Sequence, residues 1–216
     1  MTAKIKLNAA SGGGSVSLKA PSTTTGNAAI DLQLPVADGS ANQVLKTDGS
    51  GNLSFGGGGI SVAQQFRLLA DQSGSASTGT ALTNWEESDT DYQRVGSSAW
   101  SQSSGIFSCS ATGIYLCQWT FVVKTGSGGD AYDPNIQIST DSGSNYNTRS
   151  RSWAHIAAGE PRDSPQNQFI FDVANTSTFR LRYRQSQDNA CSNVTTIAGS
   201  SSENLTNILF IRLGDT

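Results

Sequence analysis

Histidine is nearly missing from this chain, His155 being the only one among 216 residues. A metal site built on several imidazoles is thereby excluded. A nucleophile–His–acid triad would have to use His155 as its base, and no Gly-x-Ser-x-Gly elbow accompanies it. Set among Ser152, Trp153, Ala154 and Ile156, this histidine reads as one residue of a strand. Charge is scarce too. Ionisable Asp, Glu, Lys and Arg make up 14% of the chain and the net charge is -3, so no global field recruits nucleic acid or an anionic membrane. No apolar run approaches the roughly 20 residues that span a bilayer. The N-terminal MTAKIKLNAASGGG lacks the apolar core of a secretory signal. These absences point to a soluble chain assembled in a cytoplasm, without membrane insertion.

Cysteine is sparse and odd in number: Cys109, Cys117 and Cys191 show no Cys-x-x-Cys or metal-like spacing. Buried reduced thiols are the plain reading. A bridge between Cys109 and Cys117 is the alternative, and it would have to cross the turn at Ser110–Gly113. The sequons at Asn175, Asn193 and Asn204 read as chance in a chain rich in Asn, Ser and Thr.

What is present is turn and strand chemistry. Gly occurs 23 times and Ser, Thr and Asn abound, while good helix formers are few, which predicts an all-β chain. Residues 1–59 read as an extended Gly/Ser-rich arm and 60–216 as a head domain. The arm holds only short apolar islands: Ile5/Leu7, Val16/Leu18, Ile30/Leu32/Leu34, Val44/Leu45 and Leu53/Phe55. Spacing by two puts Ile5 with Leu7, Val16 with Leu18, and Ile30 with Leu32 and Leu34 on one face of extended strands. Such islands do not repay their ordering entropy alone, so pairing with another chain or with symmetry copies is expected. They are the candidate anchoring residues. Gly56–Gly59 reads as the hinge to the head.

In the head, strands are predicted at Gln64–Ala70, around Trp85, and at Gly105–Ser108, Ile114–Lys124, Asn135–Ser139, Ser152–Ala157, Asn167–Val173, Thr178–Gln185 and Asn207–Leu213. That spacing predicts a sandwich or jelly roll. Two of these strands are apolar on both faces. Tyr115, Cys117, Trp119, Phe121 and Val123 take one face of the fourth, yet Ile114, Leu116 and Val122 take the other. The last strand, Asn207 to Leu213, behaves alike. A sandwich needs one apolar face per strand; the second calls for a neighbouring subunit. Ile114, Leu116, Val122, Ile208 and Phe210 are the expected interface residues. By contrast Phe179, Leu181 and Tyr183 alternate with Arg180, Arg182 and Arg184. This predicts an outward arginine ladder, either solvated and salt-bridged or a surface for an anionic partner.

Other constellations carry less. Glu86, Glu87, Asp89 and Asp91 read as one acidic loop, with glycoside hydrolysis or calcium binding as sharper readings. Asp130, Asp133 and Asp141 are further oxygen donors. The Gly-rich runs lack the Lys-Ser/Thr of a phosphate loop. Trp85, Trp100, Tyr132, Tyr146 and Trp153 read as loop aromatics for carbohydrate contact, or as core or interface residues. No catalytic residue, metal ligand or cofactor is assigned.

Two stretches resemble known families. Gly105-Ile-Phe107, a turn, then Gly113-Ile-Tyr115 and an aromatic strand with Trp119 and Phe121 resemble the complement and tumour-necrosis-factor-like jelly rolls. Gln168–Val173 with Thr178–Tyr183 looks like their late hairpin, and Ile208–Leu213 like their terminal strand. The resemblance implies a homotrimer with the inner sheet against the three-fold axis. In the arm, Ala20–Pro35 and Gly39–Phe55, above all Gln43-Val-Leu-Lys-Thr-Asp-Gly49, are similar to segments of marine tailed-phage virion proteins. That likeness implies a virion protein: a trimeric short fibre or knob, anchored through the arm to other virion proteins of tail or capsid, whose head attaches to the host. A host-surface glycan is the candidate ligand. The alternative is a capsid-decoration protein.

Overall fold

The computed structural model describes residues 4–8, 11, 13–41, 43–73, 81–89, 91–125, 130–156, 162–186 and 194–216. Cys191 and Asn193 lie outside them. Contacts divide the chain into two compact units, Met1–Gly58 and Gly59–Thr216.

The first unit is two hairpins. In one, β1 (Lys4–Asn8) pairs with β2 (Ser15–Lys19), which sets Ile5 opposite Leu18 and Leu7 opposite Val16. The apolar spacing by two therefore finds its partner inside the chain. In the other, β3 (Gln43–Thr47) pairs with β4 (Leu53–Gly57), with Leu45 opposite Phe55. Its turn is closed by Asp48, whose carboxylate accepts from the Ser50 and Asn52 amides and from Asn52 Nδ2. Two expectations need correcting. Gly56 and Gly57 are strand residues of β4, opposite Val44 and Gln43, so of the expected hinge only Gly58 and Gly59 stand at the boundary of the two units. Ile30–Leu34 forms no strand; only Gln33 makes a bridge, to Asn52.

The second unit is a two-sheet β-sandwich. One sheet runs in the order β17 (Gln166–Val173), β11 (Gly113–Thr120), β20 (Asn207–Gly214), β5 (Val62–Leu68) and β7 (Trp85–Glu87), with β8 (Val95–Gly96) also on β5. The facing sheet runs β14 (Asn147–Arg151), β13 (Asp130–Ser139), β18 (Arg180–Ser186), β10 (Ile106–Cys109) and β9 (Trp100–Ser103), with β15 (Ala154–Ile156) on β13. A smaller sheet runs β16 (Arg162–Asp163), β12 (Val123–Thr125), β19 (Val194–Ile197) and β6 (Gln72–Ser73). Strands β9, β14 and β19 escape the sequence reading because Ser, Thr, Asn and Arg dominate them. The hairpin β9–β10 turns on Ser104 and Gly105, with φ of 49° and 79°. That is the two-residue turn that matches strand twist. A side chain at 105 would also meet the Leu82 carbonyl at 2.0 Å.

Between the sheets lies an aromatic core. The Trp100 ring stacks on Phe210 at 3.9 Å, and Phe66, Phe107 and Phe179 meet this pair edge-on. Tyr115, Cys117, Trp119, Phe121 and Val123 are all buried, as their alternation predicted. Trp85, Trp100 and Tyr132 also belong to the core, so these three are not loop platforms for sugar. Replacing Phe210 by Ala removes the ring under Trp100 and leaves a cavity. Urea denaturation of the Phe210→Ala protein should show a loss of about 3–5 kcal/mol; an unchanged midpoint would contradict this packing.

Candidate functional site

The outward face of the β17–β11–β20–β5 sheet follows from its register. Opposite residues of an antiparallel pair share a face. Cys117 faces Phe210 and Trp119 faces Ile208, and all four are core. The interface expected at Ile208 and Phe210 is therefore corrected: both are fully buried inside the protomer. The β20 residues on the open side are Leu209 and Ile211. Val122 is half-buried. It lies beyond the end of β11, where its amide donates to Thr206 Oγ1 at 3.0 Å and its carbonyl accepts from Ala198. Ile114 and Leu116 do face outward and are half-buried.

The result is two parallel rows across the sheet. Ala63, Ile211, Leu116 and Ile170 align as an apolar row. Gln65, Leu209, Gln118 and Gln168 align beside it, and Gln118 Nε2 donates to Gln168 Oε1 at 3.0 Å. Neither row carries a charge. Ile170 remains 63% exposed. Next to the amide row, Thr120, Gln166, Asn167 and Asn207 line a shallow depression of about 540 Å³.

On the other sheet the ladder forms as the alternation predicted: Phe179, Leu181 and Tyr183 are buried, while Arg180, Arg182 and Arg184 are half-buried on the outer side. Strand β14 adds Arg149 and Arg151, which the sequence reading did not connect with it. Arg182 is held by its neighbours. Its Nε donates to Gln137 Oε1 at 2.8 Å, and its guanidinium lies over the Tyr146 ring at 3.9 Å from the centroid. Burial lowers its pKa, and the charge of Arg184 lowers it further. Arg151 lies 3.5 Å from the buried Asp133 carboxylate and over Trp153, an exposed ring.

The acidic constellation is committed elsewhere. Glu86 and Glu87 are strand residues of β7, not loop residues. Glu86 pairs at 2.8 Å with Arg67, a guanidinium only 1% exposed, which also reaches Asp89 and the Ser201 carbonyl. Glu87 pairs with Arg94 at 2.9 Å and accepts from Gln64 Nε2. Among the described residues no group of three or more His, Cys, Asp or Glu is placed to hold a metal ion. Cys109 and Cys117 are unbridged and buried, and burial raises both thiol pKa values.

Beside the arginine face, the turn between β13 and β14 is tied by Asp141. Its carboxylate accepts from Ser139 Oγ at 2.6 Å and from the amide and side chain of Asn145. These bonds, Ser139 first, lower its pKa to about 2. A depressed folded-state value means that the stabilisation is present above the unfolded pKa and is lost as pH falls towards the folded one. The Asn145 amide resonance should thus titrate with a midpoint near 2, and Asp141→Asn should abolish that titration. A midpoint at the ordinary carboxylate value would refute the arrangement.

No family model matches the sequence, and no curated protein matches it. Solved structures do match its fold. Murine APRIL aligns at 14% identity over 70% of this chain and 98% of its own, with a TM-score of 0.50. Eiger TNF from S. frugiperda aligns at 13% identity over 72% of this chain and 94% of its own, with a TM-score of 0.52. PRD1 vertex protein P5 aligns at 15% identity over 73% of this chain and 100% of its own, at a TM-score of 0.43. With the strand order above, the first two alignments make the fold an all-β, tumour-necrosis-factor-like jelly roll.

Proposed function

We propose that this chain is a homotrimeric structural protein of a tailed-phage virion, anchored through residues 1–59 and displaying its head for host attachment as a short fibre or knob. One observation carries the trimer. The head has a sheet face on which Leu116, Ile211 and Ile170 sit in one uncharged row, the first two half-buried and Ile170 exposed. Apolar area left in water is a standing cost, and a symmetric partner removes it. An uncharged row meets no like-charge repulsion when copies of it converge. The virion assignment rests on the likeness of Gln43–Gly49 and its surroundings to segments of phage virion proteins. The arm supports it physically: Ile5, Leu7, Leu18, Ile30, Leu32 and Leu34 are each more than half exposed, as suits side chains that dock on another protein.

Light scattering of the purified full chain should give three times 22.6 kDa. Leu116→Glu places a carboxylate in the row and should yield a monomer with unchanged β-sheet circular dichroism. A monomeric wild-type protein at micromolar concentration would overturn the trimer. Electron cryomicroscopy of particles bearing the protein separates the roles: few copies at the tail fit a fibre, hundreds on the shell fit a decoration protein, and none at all ends the virion reading.

A further inference from the structure

We infer that the outer face of β14, β13 and β18 is a binding surface for an acidic polysaccharide, gripped by Arg149, Arg180 and Arg182. The inference rests on the host-attachment reading and names the chemistry of the ligand.

The strands place cations at regular intervals. Register sets Asn135 between Arg151 and Arg184, Gln137 between Thr148 and Arg182, and Ser139 opposite Arg180. At strand spacings of about 4.8 Å and rises of about 3.3 Å per residue, Arg151 and Arg184 stand about 10 Å apart across β13, and Arg180 and Arg184 about 13 Å apart along β18. Arg149 occupies the irregularity where the β13–β14 register shifts, and it is exposed. A bulge of this kind re-aims a side chain out of the regular alternation.

Arg180 and Arg182 are held ready and left open. With Nε fixed by Gln137 and its plane fixed by Tyr146, the Arg182 guanidinium keeps both Nη groups without a hydrogen-bond partner among the described residues. Arg180 Nη1 donates to the Phe179 and Thr176 carbonyls, which orient it without neutralising it. Among the described residues no carboxylate forms an ion pair with Arg149, Arg180 or Arg182. Preorganised guanidinium groups bind carboxylate and sulfate oxygens in pairs, with little ordering cost left to meet.

An array of guanidinium groups selects an anionic occupant. Single-stranded nucleic acid is bound largely by stacking bases on open rings, and the Tyr146 and Trp153 rings already carry Arg182 and Arg151. Around Arg182 stand the Gln137 amide and the Thr148 hydroxyl, and the Asp141 carboxylate of the adjoining turn is taken up by Ser139 and Asn145. Spaced cations with hydrogen-bonding groups between them fit a linear polymer that alternates acid groups with hydroxyls.

The test uses the full chain captured on a biosensor and challenged with alginate and dextran sulfate, with neutral dextran and an oligothymidylate as comparators. Binding of both acidic polysaccharides is expected, weakening as salt rises, with none to dextran and at least tenfold weaker binding to the oligonucleotide. Arg180→Gln combined with Arg182→Gln should cost at least tenfold in affinity at unchanged mass by light scattering. Arg149→Gln, at an exposed position, should cost several-fold without touching the ladder. Absence of binding, variants that bind as wild type, or equal binding of the oligonucleotide each overturn the inference. If the protein locates to the virion yet binds neither acidic polymer, this inference alone fails. Polysaccharide binding by a protein absent from particles would instead retire the virion reading and leave the surface standing.

Discussion

Because β11 and β20 pair with Trp119 against Ile208 and Cys117 against Phe210, every alternate residue of both strands is forced onto the other side of the sheet. The inward set closes around Trp100 and completes the core. The outward set, Leu116, Gln118, Leu209 and Ile211, is then fixed without further choice. A slip of one residue would exchange the two sets and bury Gln118 where Trp119 sits. The neighbours β17 and β5 inherit the same register, which is how one row of apolar side chains comes to run straight across the sheet.

The two sheets treat polar groups in opposite ways. On the open face of the first, the amides of Gln118 and Gln168 answer one another and charge is kept away from the rows. At its edge, Arg67 is buried only because Glu86, Asp89 and a carbonyl surround it; a buried guanidinium without such partners would be prohibitively costly. On the second sheet Gln137 does the reverse. It orients Arg182 with its carbonyl oxygen and bonds Thr148 with its amide nitrogen, leaving the cation to face solvent.

Period-two patterning was legible wherever it was strong. Tyr115 to Val123 and Phe179 to Arg184 point where their alternation says they should, and the pattern around Gly105 and Gly113 led to the right jelly roll. The doubly apolar β20 shows the limit. Ile208/Phe210 and Leu209/Ile211 are equally apolar, so nothing in the strand itself says which pair faces the core; only its pairing with β11 decides. Polar strands such as Asn147–Arg151 carry no apolar signal, and the arginines they bring to the ladder come with them. The acidic residues misled for a different reason: Glu86 and Glu87 look like loop residues until the long-range partner Arg67, on another strand, is in place.

The state of Cys109 and Cys117 has a consequence for how the head is made and kept. Neither sulfur is joined to the other, and both lie in an apolar interior that disfavours the thiolate. Thiolate is the species that attacks disulfides and oxidants, so these two positions are chemically quiet. The sandwich between them needs no oxidase to close and offers no bond for a reductant to open. As far as this pair is concerned, the core is indifferent to redox potential, and would hold equally in a glutathione-rich interior and in an oxidising medium outside.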